Sequence, residues 1–252
     1  MIQEGNSETT IGIYVRSLRA IYNYAISKDV IKRDENYPFG KGKYIIPAGR
    51  NVKKALTLDE VQKLYQYETI PGTPIDQAKD FWFLSYFCNG INFKDIALLK
   101  NKNIDGEMLR FVREKSKNTT RGNRTVISCY MSEPLKEIVN KWRVNNNDPD
   151  AYLFEILENK DNATHQTNKI ALFIHKTNKH MKNICKDVGI TKLATTYYSR
   201  HSAATIMKKA GASVEQIREA LGHHSTTTTQ KYLDSFDDET KKSLAKELSK
   251  FL

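Results

Sequence analysis

The sequence predicts a mainly α fold with a small antiparallel β-sheet. Three observations carry that expectation. Apolar residues recur at helical spacing along most of the chain. Capping residues and glycines bracket those segments, as with Ser213 before Val214 and Gly222 after Leu221. The period switches to that of strands in one place only, between Met108 and Met131.

Composition bounds the function. The 252 residues carry a formal net charge of +11 and a pI of about 9.4, which suits a polyanionic partner, most simply nucleic acid. Cys88, Cys129 and Cys185 lie far apart with no C-x-x-C, so they read as reduced thiols of a cytoplasmic protein. No run approaches the roughly 18 apolar residues of a membrane helix. The start lacks the basic-then-apolar layout of a signal peptide.

Ile11 to Ile26 places Ile11, Tyr14, Val15, Leu18, Ile21, Tyr22 and Ala25 on one helical stripe. Val30 to Arg50, with two prolines and three glycines among basic residues, reads as a linker able to follow a DNA backbone. A boundary near Val52 divides residues 1–52 from 53–252. Thr57 is the expected N-cap of the next helix, with Glu60 as its box partner. Pro74 to Cys88 reads as a helix buried through FWFLSYF, broken by Asn89-Gly90 and followed by a short helix from Phe93 to Leu99.

LRFV and RTVISCY then form a hairpin around a polar, basic turn. Six basic residues and one acid lie between Arg110 and Arg124, so this tip is a candidate phosphate contact through Arg113, Lys117, Arg121 and Arg124. Ser132 caps a helix to about Asn146, Tyr152 to Phe154 is extended, and Thr164 to Val188 is a long helix ended by Gly189. Tyr198 to Lys209, ended by Gly211, and Val214 to Leu221 are amphipathic helices. A short helix begins at Ser225 and leads to Tyr232, and a last helix spans Asp237 to Leu252. His175 and His180 have no Cys or acidic partner at ligand spacing, so no metal site is expected.

Three short boxes carry chemistry. They read YYSRH (Tyr197 to His201), LGHH (Leu221 to His224) and TTTTQKY (Thr226 to Tyr232), with Tyr232 nine residues beyond His223. In that order and spacing they resemble the catalytic core of the tyrosine recombinase, or phage integrase, family. The resemblance runs from about Val52 to the C-terminus. It departs at Tyr197, where most members have His. It departs again in NGINFKDIALL, where Gly90 and Asp95 fit a G-x-R-x-x-E/D box but Asn92 holds the arginine position.

The resemblance implies a DNA breaking–rejoining enzyme, a site-specific recombinase of mobile elements. Tyr232 is the implied nucleophile. Arg200 would bind phosphate oxygens, and His223 would donate to one of them or help deprotonate Tyr232. Lys115 of FVREKSK would be the general acid, with Lys117 as the alternative, and His201 would contact DNA. Such enzymes act as tetramers on double-stranded DNA and need no cofactor, neither ATP nor metal. The family's core-binding domain is normally much longer than the 1–52 segment, which reads as its C-terminal remnant. The alternative is a catalytically impaired DNA-binding protein on the same fold. Asn92 supplies no charge, so Asn92→Arg is expected to speed cleavage unless another cation already fills the gap.

Overall fold

The computed structural model describes residues 5–34, 36–47, 55–117, 126–223 and 225–230. The chain divides into two compact units, Met1–Val52 and Lys53–Leu252. In the first, Ser7 caps helix α1 (Glu8–Ser27) by accepting from the Thr10 N–H. Only part of the expected stripe is covered. Ile11 is buried, but Tyr14, Leu18 and Ile21 are exposed among the described residues. The segment read as a linker is instead folded onto α1. Tyr37 and Phe39 pack edge-to-face with each other and with Tyr22, and the Tyr37 hydroxyl donates to Asn23 Oδ1 at 2.7 Å. Prolines and glycines signalled irregular backbone correctly. The aromatic residues among them decided that it would pack.

The second unit is mainly helical around one small antiparallel sheet. Thr57 and Glu60 form the expected reciprocal capping box at α2 (Leu58–Gln66). Helix α3 (Pro74–Phe87) is the core element: Phe81, Trp82, Phe83 and Leu84 are all buried. It packs against α6 (Glu133–Trp142), α7 (Ala163–Asp187) and α8 (Thr196–Lys209). Lys141 of α6 pairs with Asp76 and Asp80 of α3 at 2.8 and 2.6 Å, and the Trp142 indole N–H also donates to Asp80. The three cysteines are buried and free.

The sheet has three strands where two were expected. The added strand, β1 (Ile104–Asp105), is two residues long and pairs with β2 (Met108–Val112), which pairs with β3 (Val126–Tyr130). Two residues cannot display a period, so pattern alone could not find β1. The chain leaving β2 is not an open turn either. Residues Glu114–Lys117 make a single helical turn, α5. Among the described residues no helix is long and apolar enough to cross a membrane.

Candidate active site

Arg200 stands in the second turn of α8 and is only 4% exposed. A buried guanidinium must be hydrogen-bonded. Its Nη1 donates to the Gly90 carbonyl at 2.6 Å, and its Nη2 to the Leu221 carbonyl at 2.5 Å. Nη2 also lies 3.1 Å from His223 Nε2. Glycine is required at position 90. Its φ is +75°, and a Cβ there would sit 2.8 Å from both Cα and Cγ of Arg200. The Ser85 hydroxyl holds this loop by donating to the Ile91 carbonyl at 2.7 Å, and it meets Ser199 Oγ at 2.8 Å.

The second side chain arrives from α9 (Val214–Leu221), whose N-terminus carries the expected Ser213–Gln216 capping box. Gly222 ends the helix in the left-handed region, φ 61°. A Cβ on Gly222 would collide with Ile127 of β3. His223 therefore leaves the helix on a fixed path, reinforced by its N–H donating to the Arg218 carbonyl at 3.0 Å and its own carbonyl accepting from Arg218 Nη1 at 3.1 Å.

His223 is buried, 5% exposed, between Arg200 and Thr229 of α10 (Thr226–Gln230). Guanidinium can only donate, so Nε2 is the acceptor nitrogen. The hydrogen then sits on Nδ1 and points to Thr229 Oγ1, 3.0 Å away. Burial first, then the charges of Arg200, Arg113, Lys115 and His201, pushes the imidazole down to about 3. It is neutral at physiological pH. In that form Nε2 can accept a proton or a hydrogen bond but not donate one.

Asp95 lies in α4 (Phe93–Ala97) and is buried. Burial raises its pKa, against the pull of the Glu114 N–H, Arg113 and Arg200. Its Oδ1 accepts from the Glu114 N–H at 2.9 Å, which ties the end of β2 to α4. Asn92 is the N-cap of α4, its Oδ1 accepting from the Lys94 N–H at 2.9 Å. Its amide is exposed and serves the helix.

The structure thus brings Arg200, His223, Arg113, Lys115 and His201 into one electrostatic neighbourhood. Lys115 is exposed, in α5. Tyr197 is 41% exposed and packs its ring against His201, centroids 4.4 Å apart. Lys117 closes α5, but its side chain, like Arg121, Arg124, His224 and Tyr232, lies outside the described residues. Thr229 was missed from the sequence, because one of four consecutive threonines carries no positional signal. The role of the Gly90 carbonyl was equally invisible, since a backbone acceptor leaves no trace in residue type.

The phage integrase family model matches residues 54–239. The tyrosine recombinase XerD of Listeria monocytogenes serotype 4b (strain F2365) is 26% identical over 238 residues, covering 91% of this chain and 73% of that protein. XerA of Pyrococcus furiosus is 26% identical over 235 residues, covering 91% and 71%. Among solved structures, the Tn1549 transposon integrase in complex with transposon right end DNA superposes with a TM-score of 0.65 at 16% identity, covering 99% of this chain and 82% of that one. A lambda integrase dimer bound to a COC' core site gives 0.61 at 18%, covering 94% and 77%.

Proposed function

The chain belongs to the phage integrase family, and from that premise we propose how its own residues break and rejoin DNA. It is a site-specific DNA recombinase of the tyrosine type, acting on double-stranded DNA as a homo-oligomer. Tyr232 Oη attacks the scissile phosphorus, the bond to the 5′ oxygen breaks, and a 3′-phosphotyrosyl ester forms. The leaving oxygen takes a proton from Lys115 and departs as a 5′-hydroxyl. A 5′-hydroxyl from a partner strand then attacks the ester and releases Tyr232. One phosphodiester is exchanged for another through the ester, so no nucleotide or metal is needed. The working assembly is a tetramer on two DNA sites, in the cytoplasm, and residues 1–52 belong to a core-binding domain.

The buried Arg200–His223 pair carries this reading. A phenol with a pKa of about 10 needs help to ionise, and neutral His223 offers Nε2 for that proton once the Arg200 Nη2 donor turns from it to the phosphate. The arriving phosphate brings negative charge, which raises the imidazole pKa and favours its protonated, donating form. Arg200 is preorganised by two carbonyls, so it meets the developing charge on the non-bridging oxygens with little rearrangement.

The target sequence can be found together with the activity. A pool of duplexes with randomised cores, each nicked so that cleavage releases a short fragment, is incubated with the protein. SDS-stable adducts are captured and sequenced. The parent chain is expected to yield adducts converging on one sequence, and Tyr232→Phe none, with DNA binding kept. Adducts from Tyr232→Phe would refute the nucleophile. Retention of duplex DNA by the parent chain without adducts is the outcome for the impaired-enzyme reading.

A further inference from the structure

The box that supplies the family's first arginine ends here in a neutral residue whose side-chain oxygen already caps α4. The site nevertheless holds two guanidinium groups. We propose that Arg113, entering from the end of β2, is the second phosphate-binding arginine and supplies the charge that Asn92 lacks. The assignment rests on the recombinase reading above.

The position of Arg113 is fixed from both ends. The neighbouring Glu114 N–H is clamped by buried Asp95, three residues after Asn92, so the strand end is tied to the helix that bears the incomplete box. The Arg113 stem then runs along Gly222, where an added Cβ would come within 3.3 Å of its Cδ. Nη1 donates to the Gly222 carbonyl at 3.2 Å, one residue before His223. Asp95 and His223 both lie within the electrostatic reach of Arg113 and of Arg200. The same imidazole therefore has one guanidinium against its Nε2 and another on the carbonyl of the preceding residue.

The chemistry calls for this arrangement. As Tyr232 attacks, charge builds on two non-bridging oxygens, and one guanidinium spans only part of that surface. A guanidinium has five N–H donors in a planar fork. The bond from Nη1 to the Gly222 carbonyl orients the plane. Cations held in place before reaction contribute most to phosphoryl transfer. Position 92 need not be charged if the charge comes from the other side of Asp95.

The experiment uses the sequence captured from the pool, made once with an ordinary scissile phosphate and once with a methylphosphonate, which lacks the negative charge. Arg113→Ala is expected to form adducts on the phosphate about 10²–10³ slower than the parent chain. On the methylphosphonate the two should agree within a few fold, since there is no charge to neutralise. Equal losses on both substrates would make Arg113 a structural clamp between strand and turn and overturn the proposal, as would an Arg113→Ala rate within about threefold of the parent on the phosphate. If Arg113→Ala does not fold, Arg113→Gln, which keeps a polar stem and loses the charge, decides by the same comparison. Asn92→Arg should slow cleavage rather than speed it, because it removes the α4 cap and crowds a filled site. A faster Asn92→Arg enzyme would also overturn the assignment. A parent chain that makes no adducts at all fails the recombinase reading, and this assignment with it.

Discussion

Burial disfavours a proton on His223, and the charges of Arg200, Arg113, Lys115 and His201 add their repulsion. Its folded-state pKa, about 3, lies below the ordinary value of 6.5. Between those limits the unfolded chain binds the extra proton. The stability contributed by neutral His223 is therefore complete above about pH 6.5 and is lost as pH falls toward 3. Nitrogen NMR at pH 7 should find Nδ1 protonated and Nε2 bare; the opposite tautomer would contradict the donation to Thr229. Thr229→Val removes that acceptor and strands a buried N–H. The expected cost is about 1–3 kcal/mol in a urea melt, with slower adduct formation. A Val variant as stable and active as the parent would show that Thr229 does not hold the ring.

Elements position these residues through their ends. The Arg200 guanidinium is received by carbonyls at the end of α9 and in the loop after α3, and His223 by the glycine stop of α9. Gly90→Ala should therefore do more than strain a backbone at φ +75°. Its Cβ would press on Arg200 itself, so adduct formation and stability should fall together, stability by more than about 1 kcal/mol. Thermal melting and the adduct assay check both, and a neutral Gly90→Ala would mean that the loop can withdraw without disturbing Arg200. Much of this level was legible in advance. Capping boxes at Thr57 and Ser213 and glycine stops at Gly211 and Gly222 are local, and each lies within one turn of the residues it controls. Strand β1 and turn α5 were not legible, because both are too short for a period.

At the scale of the molecule the excess of positive charge governs association with DNA. Each phosphate neutralised by Lys or Arg releases condensed counterions. Affinity for a short duplex should therefore fall by on the order of 10³–10⁵ between about 50 and 200 mM salt if roughly six to ten phosphates are contacted. Fluorescence anisotropy measures this directly. A flat salt profile would mean that the charge is a solvated surface and the DNA is held some other way.

The sequence by itself determined the fold class, the order of the helices and most of their ends, because helical period and caps are properties of neighbouring residues. It also singled out Arg200, His223 and Tyr232, whose spacing is the family's own. Only the tertiary structure decided what those residues meet. It set Thr229 against the imidazole and brought Arg113 of the strand end to the carbonyl beside His223. Each of those depends on where a separate element ends in space. Asn92 and Arg113 are joined through the Asp95 carboxylate and the Glu114 N–H, and a contact between two elements has no spacing in the sequence from which it could be read.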